Sequence, residues 1–236
     1  MIRFIFLSLL FTVLFNSTTF AQSEEPLITA SIQKKLTPDE MLQRLIRGNQ
    51  RFIDHKRLPT DMIKKAQLTA KGQYPGAIIL SCIDSRIPPE VVFDQSIGNI
   101  FVTRVAANVI NSDVLGGLEV ATRAAGAKLI VVMGHDACGA VRGACENVKL
   151  GHLTQLLNKI QPAIEQAKAT LGKQNCNSEP FINTAAADNV RNVVKMIPKE
   201  SPVIQQLIKE GKVKIVGAMY HLNTGKVEFF ISSANY

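Results

Sequence analysis

Tryptophan is absent from the 236 residues and tyrosine occurs three times, so a surface that stacks nucleic-acid bases on aromatic rings has little to be built from. Lysine and arginine outnumber acids by eight, but they are scattered at helical spacing and form no basic stripe interleaved with aromatics. The excess positive charge reads as solvated surface, and nucleic acid is not the partner. Glycine (15) and proline (10) are too few for a collagen-like or low-complexity chain. Charged residues, at 19% against 46% hydrophobic, are too few for a disordered one. No uninterrupted apolar run reaches the roughly 20 residues that a membrane-crossing helix needs. Cysteine is scarce, at four, and no two stand in Cys-x-x-Cys spacing, which argues against a redox pair.

What is present begins with an export signal. Arg3 precedes an apolar run from Phe4 to Phe15 that Ser8 and Thr12 interrupt, and Thr19-Phe20-Ala21 places small residues at both positions a signal peptidase reads. Residues 1–21 are thus expected to be removed after Ala21, and no cysteine follows to carry a lipid. Cutting 21 residues from 236 leaves 215 with a formal charge of +7, since Arg3 is the only charged residue lost. The mature chain is expected in the periplasm or outside the cell, with no membrane anchor. Residues 22–36 read as a flexible segment and 37–236 as one domain.

Within that domain helices alternate with buried strands. Thr37-Pro38-Asp39-Glu40 has the capping residue, first-turn proline and returning glutamate of a helix start. The helix it opens carries apolar positions at Met41, Leu42, Leu45, Ile46 and Phe52, and a second spans about Asp61 to Ala70. Three short aliphatic runs bounded by turns read as buried strands: Ala77–Leu80, Ile100–Val105 and Lys128–Met133. A helix from about Asp113 to Ala125 separates the last two. Further helical patterns cover His152–Leu171, Phe181–Ile197 and Pro202–Glu210, and two strands, Val213–Tyr220 and Val227–Ile231, close the chain. Strand, helix, strand with continuously apolar strands predicts an α/β single domain whose mainly parallel central β-sheet is flanked by helices, with an N-terminal helical arm.

In open sheets of this kind ligands bind beyond the carboxyl ends of the strands. The first strand runs out into Ser81-Cys82-Ile83-Asp84-Ser85-Arg86 and the third into Gly134-His135-Asp136-Ala137-Cys138-Gly139, so the two segments should face each other. Cys82, His135 and Cys138 offer two thiolates and an imidazole, a soft donor set suited to one Zn²⁺ per chain with a fourth position open. The competing reading is a pair of buried structural cysteines and a satisfied histidine. Asp84 and Arg86 fall on one face of an extended segment, where the guanidinium can hold the carboxylate ionised. Such a carboxylate either orients a water on the metal or ligates the metal and closes the site.

These two segments together are similar to the paired signature of the β-class carbonic anhydrases. Arg104-Val105-Ala106-Ala107-Asn108, Ser201-Pro202, Gly217-Ala218-Met219-Tyr220 and Thr224-Gly225-Lys226-Val227 extend the resemblance over about 170 residues. Gln73 matches a glutamine that contacts substrate in one subgroup of the family. Another subgroup carries tryptophan there, and this chain has none. The glutamine subgroup is therefore expected, and Phe101 matches a residue of its apolar pocket, while Val120 departs from the tyrosine common after Leu-Glu.

The resemblance implies zinc-dependent, reversible hydration of carbon dioxide to bicarbonate and a proton. In that reaction Asp84 and Arg86 are catalytic, Gln73 and the Gly139 N–H face the substrate oxygens, and Phe101 with Ala106 form a dry wall. It further implies a homodimer or larger homo-oligomer wrapped by the N-terminal helices. Two rivals share the fold: a hydrolase of carbon disulfide or carbonyl sulfide, and a non-catalytic bicarbonate- or zinc-binding module. Cys145 and Cys176 remain after the metal set, and either bridge as a disulfide in the exported protein or stay as buried free thiols.

Overall fold

Runs of β-branched and aliphatic residues form a five-stranded sheet, as the patterning predicts. In a computed structural model the chain is described from residue 26 to 230 apart from position 174, and the export signal and Ile231 fall outside these residues. The strands are β1 (Ala77–Ser81), β2 (Ile100–Arg104), β3 (Leu129–His135), β4 (Lys214–Tyr220) and β5 (Val227–Phe230), in the order β2-β1-β3-β4-β5. β1 lies parallel to both β2 and β3, β3 is parallel to β4, and β5 returns antiparallel to β4. Every residue of β1 and β3 is buried, the expected state of central parallel strands covered on both faces.

The helices are α1 (Ala30–Lys35), α2 (Pro38–Ile53), α3 (Met62–Thr69), α4 (Pro89–Val92), α5 (Ser112–Glu119), α6 (Gly139–Cys145), α7 (Gly151–Asn158), α8 (Gln161–Leu171), α9 (Glu179–Glu200) and α10 (Pro202–Lys209). The start of α2 has its full capping box: Thr37 Oγ1 accepts from Glu40 N at 3.2 Å, and the Glu40 carboxylate accepts from Thr37 N at 2.8 Å. Among the described residues no helix is long and apolar enough to cross a membrane.

Three expectations are corrected. The segment expected to be flexible, 22–36, contains α1, because Thr29 caps it and Ile28 beside it is buried with its N–H on Asn99 Oδ1. The pattern His152–Leu171 is two helices, not one. Its break falls at Lys159-Ile160, and Pro162 then sits in the first turn of α8, where a missing N–H costs nothing. The helix expected to run to Ala125 keeps α-geometry only to Glu119 and continues as a wider π turn, Val120–Ala124.

α9 packs against β3 and β4. Its buried stripe includes Phe181, Ile182, Ala185, Ala186, Val190, Val193 and Ile197. Glycines opposite make room for it: a β-carbon at Gly134 would stand 2.7 Å from Val190 Cγ2, and one at Gly217 2.9 Å from Val190 Cγ1. Cys145, the last residue of α6, is bridged to Cys176 in the loop that leads to α9, which resolves the two alternatives for these cysteines. Closing a loop with sequence separation 31 stabilises the fold by about 3.7 kcal/mol in the chain-entropy account.

Candidate metal centre

Sheet register brings the two motif segments together. Ser81 pairs with Met133, so Cys82 leaves β1 alongside Gly134 and next to His135 at the end of β3. The chain then turns at Ala137 (φ 51°) and Cys138 stands at the N-terminus of α6. The Cys82 and Cys138 sulfurs and a His135 ring nitrogen all lie within 4.8 Å of one another, and all three residues are buried.

The donors are prepared for a cation. His135 Nδ1 lies 2.8 Å from the Asp136 carbonyl, and a carbonyl only accepts, so Nδ1 carries the proton. That leaves the Nε2 lone pair, and Nε2 is a fully buried atom without any hydrogen-bond partner. Each sulfur receives backbone N–H groups: Ala107 N reaches Cys82 Sγ at 3.3 Å, and the Ala140 and Val141 amides of the first turn of α6 point at Cys138. The hydrogen bond from Cys138 draws the Cys82 pKa down to about 4, against its burial. Cys138, retaining the shared proton beside that thiolate and also buried, is pushed up. Burial disfavours a charged His135 ring, but the Cys82 thiolate outweighs it and raises the His135 pKa. Two sulfurs holding one proton against an orphaned imidazole nitrogen fit a divalent, thiophilic ion, which would displace that proton.

Asp84 faces the cluster from the side. Arg86 grips it twice, Nε to Oδ1 at 2.9 Å and Nη2 to Oδ2 at 2.7 Å, and the Arg86 backbone N–H adds a third bond at 3.0 Å. These bonds hold the Asp84 carboxyl well below the usual carboxylate range. Asp84 Oδ2 lies 3.9 Å from His135 Nε2, so it borders the three-donor cluster without belonging to it. Arg104, at the end of β2, pins the loop by donating to the carbonyls of Cys82 (2.9 Å) and Asp84 (2.5 Å).

Of the remaining expected residues, Ala106 and Gly139 sit at this end of the sheet. Ala106 adjoins Ala107, and a β-carbon placed on Gly139 would meet nothing within 4 Å. Gln73 and Phe101 are not brought to the cluster of their own chain. Gln73 precedes β1 while Cys82 follows it, a separation of at least five strand residues, or about 16 Å. Phe101 is paired with Ile78, near the same far end.

Sequence reasoning missed three positioning side chains. Arg104 stood in a matched motif without a role. Asn183 and Asn189, both on α9, hold the Cys138 turn and the loop after β2 that reaches the Cys82 sulfur: Asn183 Oδ1 accepts from Ala137 N at 2.8 Å, and Asn189 Nδ2 donates to Ala107 O at 2.8 Å. Neither asparagine stands in a spacing pattern that would have singled it out.

The fold and the cluster together define a mainly parallel α/β protein with a buried Cys-His-Cys cluster at its strand ends that could hold a metal ion. Residues 77–227 match the family model described as carbonic anhydrase, and the chain belongs to that family, in its β class. The chain is 34% identical to the carbonic anhydrase of Mycolicibacterium smegmatis over 77% of its own length and 87% of the relative's. It is 33% identical to carbonic anhydrase 2 of Mycobacterium tuberculosis over 76% and 86%. Among solved structures, the β-carbonic anhydrase CcaA superposes with a TM-score of 0.66 at 25% identity, covering 81% of this chain and 95% of that one. CafA of Aspergillus fumigatus superposes at 0.65 and 25%, covering 84% and 91%.

Proposed function

We propose that the protein hydrates carbon dioxide reversibly to bicarbonate and a proton, with zinc held by Cys82, His135 and Cys138. The observation that carries this reading is the buried, partnerless Nε2 of His135 facing two free buried cysteines. Zinc, when bound, supplies a Lewis acid that lowers the pKa of a water molecule toward about 7. The chain does the rest. Asp84, kept ionised and immobile by Arg86, accepts a hydrogen bond from the attacking water and aims its lone pair at the carbon. The Gly139 N–H, at the positive end of α6, faces the oxygen on which charge grows. Ala106 keeps water off the apolar substrate.

Gln73 and Phe101 act, on this reading, in the site of a second copy. β2 is an edge strand whose outer side is unpaired among the described residues, and Leu68, Tyr74 and Ile97 around Gln73 expose apolar surface. On this reading a homodimer covers this surface, and Gln73 in a chain without tryptophan supports the subgroup with glutamine. Purified protein is expected to carry about one zinc per chain, to sediment as a dimer or larger assembly, and to accelerate carbon dioxide hydration in stopped-flow indicator assays. Metal-replete protein without hydration activity would overturn the enzymatic reading.

Residues 1–21 act as an export leader that delivers residues 37–236, with the segment before them, to the periplasm or beyond. The Cys145–Cys176 bridge fits an oxidising compartment. Mass spectrometry of the non-reduced protein from an expressing cell is expected to find a chain starting at Gln22 and lighter by two hydrogens. An intact Met1 with four free thiols would contradict export.

A further inference from the structure

Two alanines beside the metal centre adopt the left-handed backbone region that residues other than glycine and asparagine avoid. Ala107 (φ 52°) follows β2, and Ala137 (φ 51°) stands between the ligands His135 and Cys138. Such a conformation is disfavoured for a residue with a β-carbon and persists only where surrounding bonds over-determine it. In both places the restraining bond comes from α9. Asn189, 3% exposed, donates to the Ala107 carbonyl, and in this orientation the Ala107 N–H points at the Cys82 sulfur. Asn183 accepts the Ala137 N–H and so fixes the turn that carries Cys138 around to His135.

The helix itself has little freedom to yield. Val190, one residue beyond Asn189, packs into the space left by Gly134, the residue before His135, and by Gly217 on the neighbouring strand. One rigid element therefore reaches both the turn that carries Cys138 and the loop after β2 whose Ala107 N–H meets the Cys82 sulfur.

We propose that Asn183 and Asn189 are positioning residues, and that α9 is the template that pre-assembles the two halves of the metal centre. Asn189 sets the hydrogen bond on the Cys82 sulfur by fixing the backbone on both sides of the Ala107 α-carbon, which moderates how much electron density that sulfur gives the metal. Asn183 sets the distance between the His135 nitrogen and the Cys138 sulfur. Both statements rest on the metal-binding reading given above.

The two amides act with opposite polarity, Asn189 as a donor and Asn183 as an acceptor, and this asymmetry supplies the test. Asparagine to aspartate preserves shape and acceptor but removes the donor. Asn189→Asp is therefore expected to weaken zinc binding roughly 10- to 100-fold, measured by competition with a chromogenic chelator. It is also expected to shift the sulfur-to-metal charge-transfer band of the cobalt(II) protein. Asn183→Asp is expected to bind zinc within about threefold of the parent, whereas Asn183→Leu, of similar volume but without an acceptor, is expected to lose roughly tenfold or more.

Equal zinc affinity and an unchanged cobalt band in folded Asn189→Asp overturn the proposal. If that variant fails to fold, the contrast between Asn183→Leu and Asn183→Asp decides: a tenfold gap upholds the template and equality overturns it. A parent protein that binds neither metal instead refutes the metal-binding reading itself, so the two failures are distinguishable.

Discussion

Cys82→Ser is expected to strip the protein of zinc and reduce carbon dioxide hydration to the uncatalysed background while leaving the fold intact. Serine fills nearly the same space, and its hydroxyl can accept the Ala107 N–H that now reaches the sulfur at 3.3 Å. What it does not supply is charge. The hydrogen bond from Cys138 draws the Cys82 pKa down and favours the thiolate, whereas a serine hydroxyl stays protonated. With Cys82 gone, one thiol and one imidazole remain, too few to hold a catalytic ion that requires three protein donors. Elemental analysis after gel filtration checks the loss, and circular dichroism checks the fold. Full zinc occupancy in this variant would remove Cys82 from the donor set and with it the site as described.

How far the sequence reveals this arrangement depends on which interactions are local. The donor segments were legible because chemistry at strand ends follows from direction alone: two buried parallel strands, one running out into Cys82 and the other ending in His135, must present them side by side. The same directional argument, applied to Gln73, would have separated it from Cys82, since the whole of β1 runs between them; a gap of nine residues hides an extended strand. The break at Lys159-Ile160 was hidden because the apolar periodicity of α7 runs on into α8 nearly in phase. Asn183 and Asn189 were illegible for another reason. Each bonds to a backbone atom at a sequence separation of 46 or 82, and an amide on a helix carries no local sign of the turn it will restrain. The strained conformations of Ala107 and Ala137 were likewise invisible, because alanine is a residue from which no one infers a left-handed turn.

Asp84→Asn is expected to keep the zinc and lose hydration rate by roughly 10²- to 10⁴-fold, the range over which a positioned proton acceptor contributes. Asp84 is outside the three-donor cluster, so its charge is not needed to hold the ion. Asparagine, however, presents an N–H₂ where Arg86 now donates at 2.7 and 2.9 Å, so the side chain both turns and loses half its accepting capacity. The pH profile separates this role from simple titration. Arg86 holds the Asp84 pKa well below the ordinary carboxylate range, so the ionised form is complete above that range and is lost only in strong acid. No acid limb from Asp84 therefore arises between pH 5 and 9 in the parent, and the variant should lose rate by a constant factor across that interval. Arg86→Ala gives the complementary result. Freed from its partner, Asp84, already 3.9 Å from His135 Nε2, can swing onto the ion as a fourth donor, so zinc should be held more tightly while the rate falls. Undiminished rate in Asp84→Asn, or weaker zinc binding in Arg86→Ala, would show that the pair serves the fold of the loop rather than the reaction.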